Sequence, residues 1–331
     1  MIEKQKSPAA GDKVWIGVDI GGTKTAVVLC SAPPAIIERV VFPTLPEHGP
    51  ERTMQSIQRV IHTCIGAHKI SIGQIEAIGI SYGGPLDRRL GLIQSPPNLP
   101  TWNDVPIVEV LQREFGVVVR LENDANAGAL AELRFGAGQD VQHMIFLTMG
   151  TGLGAGVILD RRLYRGTSDM AGEIGHIRLT DAGPIGYNKA GSVEGWASGG
   201  GIAQAATRQV AAAIKTGEVT SLVAPLASNR VLTAKDVADA ARQGDALANQ
   251  IVLNTASRLG EALAILVDLL NPELIVIGGL AMRLGERLLA PARAVMEREA
   301  LPAAAKACRI VPAGLGEQIG DIAAICVAMG A

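Results

Sequence analysis

Residues 14–30, VWIGVDIGGTKTAVVLC, and residues 144–159, MIFLTMGTGLGAGVIL, follow one plan: an apolar strand, a turn of glycine and threonine, a second apolar strand. In the first copy, 14–20 and 25–30 read as strands joined by Gly21-Gly22-Thr23-Lys24. Two copies of one hairpin point to an internal duplication, which sets a domain boundary near residue 125. Outward from the first copy, Met54, Ile57, Ile61 and Cys64 recur at spacings of three and four and predict a helix. Strands are expected at 75–81 and 117–121. Beyond the second copy, Val252, Ala256, Leu259, Leu263, Leu266 and Leu270 form the stripe of a helix that Asn271-Pro272 stops. The strand LIVIGG, a strand at 308–312 and a closing helix at 319–329 follow. Strands alternating with helices imply an α/β class.

The bulk composition excludes several functions. A chain of 331 residues with 48% hydrophobic and 19% charged residues is long enough for two domains and ordinary for a globular enzyme. Its 39 glycines and 3% aromatics predict tight turns and aliphatic cores. A net charge of −2 offers no field for nucleic acid or an anionic membrane. Asp268 and Asn271-Pro272 break the longest apolar segments, so no bilayer span is expected, and the polar N-terminus does not read as a signal peptide. Cys30, Cys64, Cys308 and Cys326 are scattered without a CxxC pair, which fits a reducing compartment, the cytoplasm.

Several loops carry polar groups suited to chemistry. In Asp19-Ile-Gly-Gly-Thr-Lys24, Gly21 and Gly22 let backbone N–H groups approach a phosphate, Thr23 adds a hydroxyl and Lys24 a positive charge. Asp19 is placed to hold a Mg²⁺-bound water; a plain glycine hairpin is the alternative. Gly150-Thr151-Gly152-Leu-Gly154 is the second such loop. Strand residues follow it directly, which disfavours a dinucleotide fingerprint and favours a pair of clamps on one polyphosphate. Asn123-Asp124 lies after the strand VVVRL and opens a helix. Those residues are either N-caps, or Asp124 accepts a proton from an attacking hydroxyl. Glu173, His176 and Glu194 stand out in a Gly/Ala-rich stretch and suit hydroxyl groups of a sugar, with a core His or half a metal site as the alternatives for His176. Gly278-Gly279 lets an adenine or ribose lie against the backbone, or is a turn.

In this order the motifs resemble the ROK family of sugar kinases and repressors. The resemblance rests on DIGGTK (19–24), Gly84-Pro85-Leu86-Asp87, Pro97-Asn98-Leu99-Pro100 with Trp102, ENDAN (122–126) and GTGLGAG (150–156). It continues through AGEIGH (171–176), Gly191-Ser-Val-Glu194 and NPELIVIGG (271–279). It implies a two-domain actin-like ATPase (ribonuclease H-like) fold with the active site in the interdomain cleft. The domains would be 1–124, to which a helix at about 317–331 returns, and 125–316. By the resemblance, Asp124 is the catalytic base, and Gly84, Asn98, Asn123, Glu173, His176 and Glu194 line the sugar site. ATP with Mg²⁺ would be held by Asp19, the loops at 21–24 and 150–154, and Gly278-Gly279. The implied reaction is phosphorylation of a hexose 6-hydroxyl, as in a glucokinase, by a homodimer or homotetramer. An N-acetylmannosamine or N-acetylglucosamine kinase and a non-catalytic sugar-binding member are the alternatives. A repressor is disfavoured, because about 13 residues before the first strand are too few for a helix-turn-helix module.

Two positions depart from the family pattern. The cysteines of its structural zinc motif read Ile185, Tyr187 and Ser192, so no zinc is expected, and apolar packing of Ile185 and Tyr187 is expected to hold that loop. The family's Pro-Gly-Pro turn reads Gly83-Gly84-Pro85.

Overall fold

The computed structural model describes residues 7–9, 11–94, 99, 101–227 and 230–330, so Asn98 lies outside the described residues. The chain divides into two compact units, Met1–Gly136 with Glu317–Ala331, and Ala137–Gly316. The division falls after Gly136 and not at 124/125. The helix that Asp124 opens packs on the terminal helix Ile319–Met329, and both belong to the first unit.

In the first unit, β1 (Val14–Ile20), β2 (Lys24–Ala32), β3 (Ala35–Pro43), α1 (Pro50–His68), β4 (Ile75–Tyr82), α2 (Ile107–Phe115), β5 (Val118–Asn123) and α3 (Asp124–Phe135) follow in order. The sheet order is β3-β2-β1-β4-β5; β1, β4 and β5 are parallel, and β2 and β3 run antiparallel. Alternation along β1 and β4 sends Ile16, Val18, Ile78 and Ile80 to one face, where Ile57 and Ile61 of α1 and Leu111 of α2 join the same core. Each such fully buried side chain contributes about 1.5–3 kcal/mol. The other face carries Gly17 and Gly79. A Cβ on Gly79 would come within 2.1 Å of Ala328 N, so the backbone of the terminal helix lies directly on the sheet. Ala324 and Ala328 on that helix complete the close approach. The strand β3 has no counterpart in the sequence reading. It is an edge strand with Glu38 and Arg39 among its apolar residues, which masks the alternation.

In the second unit, β6 (Met144–Met149), β7 (Leu153–Leu159), β8 (Arg162–Tyr164), α4 (Val193–Ala197), α5 (Gly199–Thr216), α6 (Ala234–Arg242), α7 (Ala246–Leu270), β9 (Leu274–Ile277), α8 (Glu286–Glu299) and β10 (Arg309–Pro312) follow. Its sheet order, β8-β7-β6-β9-β10, repeats that of the first unit: an antiparallel meander of three, then two parallel strands. The duplication seen in the hairpins therefore extends over a whole sheet. Helix α7 carries the expected stripe, with Val252, Ala256, Leu259, Leu263 and Leu266 buried. Asp245 caps it by accepting Ala248 N–H at 2.9 Å, and Asn271 ends it in the left-handed conformation.

Candidate active site

Parallel pairing in the first unit sets the functional groups in rows. Asp19 pairs with Ser81, which pairs with Glu122; one residue on, Ile20, Tyr82 and Asn123 form the next row. These rows stand at the carboxyl ends of the three parallel strands, where open α/β sheets place their ligands. The turn Gly21–Lys24 closes on itself through Gly21 N–H to Lys24 O (2.9 Å), and Thr44 braces it by donating to Gly21 O (2.7 Å). Thr44 is buried and escaped the sequence reading.

Of the two residues at the Asn123-Asp124 corner, Asn123 does the capping. Asn123 is the N-cap of α3: its Oδ1 accepts from Ala125 N (2.9 Å) and Asn126 N (3.3 Å). Asp124 is thus the first residue of the helix, its carboxylate accepting Ala125 N–H at 2.8 Å. Gly83 stands over it, since a Cβ there would lie 3.6 Å from Asp124 Oδ2, and Gly84 stands over Asn123, 3.4 Å from Nδ2. Buried Glu122 supports the corner, accepting from Asn123 N (3.1 Å) and Asn126 Nδ2 (3.0 Å).

Asp19 is partly buried. Loss of water, then the charges of Asp124 and Asp321, push its carboxyl up to about 7, against the pull of Lys24 and Arg39. Asp321, on the terminal helix, is itself buried and ion-paired to Arg39 of β3.

In the second unit, two glycine loops again follow the ends of adjacent strands. Gly278 N–H donates to Leu147 O (2.9 Å), and Gly279 comes so near that a Cβ would lie 2.2 Å from Met149 O. Leu153 and Gly154 already belong to β7, so the turn proper is Gly150–Gly152. Its carbonyls are held by the N-terminus of α5: Gly199 N–H donates to Gly150 O (2.7 Å) and Gly200 N–H to Thr151 O (3.1 Å). Glu194, on α4, accepts Leu153 N–H at 3.1 Å. Partial loss of water, and then the Glu194 charge, raise the pKa of Glu173, while His176 lowers it, so both groups lie near that carboxylate.

Residues 177–193 form a loop around a two-stranded ribbon, Ile185–Gly186 with Lys189–Ala190. Ile185 and Tyr187 are 48% and 57% exposed, so apolar packing does not hold it, contrary to the sequence expectation. Hydrogen bonds do. The buried Ser192 hydroxyl donates to Lys189 O (3.1 Å) and accepts Gly195 N–H (3.1 Å). Gln204 exchanges two bonds with Ile185 (3.0 and 2.8 Å), and Trp196 Nε1 donates to Thr180 Oγ1 (2.8 Å). Tyr187 sets its ring edge-on to His176.

The ROK family profile matches residues 15–330. The chain belongs to the ROK family. It is 36% identical over 316 residues to a glucokinase of Thermotoga maritima, covering 94% of this chain and 96% of the relative. A glucokinase of Halalkalibacterium halodurans is 34% identical over 313 residues, 94% of this chain and 93% of the relative. The crystal structure of a ROK glucokinase from Streptomyces griseus with glucose and AMPPNP superposes with a TM-score of 0.79 at 31% identity, covering 96% of this chain and all (100%) of that one. The fold is the two-domain actin-like ATPase fold of these sugar kinases.

Ile185, Tyr187 and Ser192 bring no thiolate, and the one hydroxyl among them that is buried is spent on backbone groups. Among the described residues, no three His, Cys, Asp or Glu side chains are grouped to hold a metal ion, and all four cysteines are buried elsewhere. The described residues also contain no helix long and apolar enough to cross a membrane. Within the first unit, the structure brings together Asp19, Gly21–Lys24, Gly84, Asn123 and Asp124; within the second, Gly150–Gly154, Glu173, His176, Glu194, Gly278 and Gly279. The reading missed Ser198-Gly199-Gly200-Gly201, three glycines behind a Ser N-cap opening an 18-residue helix, a signal visible in the sequence.

Proposed function

We propose that this chain transfers the γ-phosphoryl group of ATP to the 6-hydroxyl of a hexose, with glucose the first substrate to test. The observation that carries the reading is Asp124 at the carboxyl end of β5, its capping duty taken by Asn123 and its carboxylate beside Gly83. The sugar oxygen attacks phosphorus as Asp124 takes its proton. The bond to the leaving ADP oxygen breaks with its electron pair going to ADP. The glycine turns at 21–24 and 150–152 offer backbone N–H groups to the phosphate oxygens, and Lys24 adds charge. Asp19 is the carboxylate that would hold, through water, a magnesium ion arriving with the nucleotide, and that ion would supply positive charge to the phosphates. Glu173 and Glu194 accept hydrogen bonds from sugar hydroxyls, and His176 can donate or accept one.

We assign the enzyme to the cytoplasm, where ATP and reduced thiols are found, as a homodimer or homotetramer that light scattering would reveal. A coupled ADP-release assay with MgATP across glucose, mannose, fructose, allose, N-acetylglucosamine and N-acetylmannosamine tests the function. Turnover on glucose or another plain hexose supports it, and turnover on the N-acetylated sugars alone moves the substrate to hexosamines. Silence across the panel, from folded protein that binds ATP, removes the kinase reading.

A further inference from the structure

Glu194 is fastened to the glycine turn as well as to the sugar-site cluster. Its Oε2 accepts Leu153 N–H at 3.1 Å, and a Cβ on Gly152 would come within 2.8 Å of the same oxygen. The carboxylate therefore rests on the turn's backbone, with glycine required beneath it. The Glu173–His176 segment backs the same spot, because a Cβ on Gly175 would lie 2.2 Å from Leu153 O and 3.4 Å from Glu194 Cβ. The chain leaving α4 returns at once to the turn through the bonds from Gly199 and Gly200. One side chain thus joins the group set for hydroxyls to the loop set for phosphates.

We propose that Glu194 is a positioning residue that couples sugar binding to the phosphate turn at Gly150–Gly152. A hydroxyl donating to this carboxylate fixes its rotamer, which seats Oε2 on Leu153 N–H and holds the turn in the shape that accepts a polyphosphate. Binding couplings are reciprocal, so nucleotide strengthens sugar binding by the same factor. The proposal rests on the kinase reading, with Glu194 in the sugar site.

Calorimetry on the full chain tests it: AMPPNP with MgCl₂ is titrated with and without saturating glucose. The wild-type protein is expected to bind AMPPNP about fivefold or more tightly when glucose is present, the usual lower range of such couplings. Glu194→Asp withdraws the carboxylate from the turn, and Gly152→Ala pushes it off; each is expected to bring the ratio close to one. A strut without coupling would weaken AMPPNP equally with and without glucose. A wild-type ratio of one, with both ligands bound, overturns the coupling without using any variant, as does an unchanged ratio in both variants. Glucose that neither binds nor turns over would instead remove the sugar-site reading, and the coupling with it.

Discussion

Gly320, at the start of the terminal helix, sits against the carboxylate of Asp19: a Cβ there would come within 2.6 Å of Oδ2. The helix takes part of the surrounding water from Asp19 while Asp124 and Asp321 add their negative charge, and the carboxyl rises from 3.8 to about 7. Between those values the native state binds more protons than the unfolded chain. Stability therefore falls as pH rises through that window, and above it the fold carries the full cost of ionising this partly buried carboxyl. Asp19→Asn is expected to raise the unfolding free energy at pH 8 by roughly 2–4 kcal/mol, which is about 1.4 kcal/mol per unit of pKa discounted for partial exposure, and by less than half as much at pH 5. Urea melts at both pH values check this. An equal gain at both, or a loss at pH 8, contradicts it.

Tyr82 makes the opposite point about burial. Its side chain is 1% exposed, and its hydroxyl has no hydrogen-bond partner among the described residues. Burial, and then the charge of Asp124, raise its pKa, so the phenol stays neutral. An unpaired buried hydroxyl costs stability. Tyr82→Phe should therefore raise the urea midpoint, by about 1 kcal/mol in free energy. A drop of that size would reveal a bonding partner in solution.

The loop at 177–193 is expected to stand without metal. Elemental analysis of purified protein should find well under one zinc per chain, and a chelator should leave the melting temperature unchanged. Ser192→Ala removes both a helix cap and a bond across the ribbon, and is expected to cost about 1–2 kcal/mol. Stoichiometric zinc, or melting that shifts on chelation, would contradict this account of the loop.

What could be read from the sequence was what local pattern encodes. The two strand–turn–strand hairpins, the stripe on α7 and the ENDAN corner stand where expected, because alternation and helical spacing act over a few residues. The unit boundary did not follow. Asp124–Phe135 joins the first unit through the terminal helix, which Gly17 and Gly79 admit from far along the chain. The raised pKa of Asp19 likewise depends on the terminal helix, with Gly320 against it and the charge of Asp321 nearby, and the hold on residues 177–193 depends on Ser192, Trp196 and Gln204. Neither leaves a periodic trace. Glu194 was legible as a polar residue among small ones, but its bond to Leu153 was not.

The central claim is that Asp124 accepts the hydroxyl proton. The most direct test compares wild type with Asp124→Asn in ADP release on the best sugar of the panel, with sugar affinity measured by calorimetry. Loss of a general base typically costs about 10²–10⁴ in rate. The account predicts a fall in kcat of at least that size, with folding and sugar affinity within severalfold of wild type. Near-normal kcat in Asp124→Asn would contradict it and place the base elsewhere.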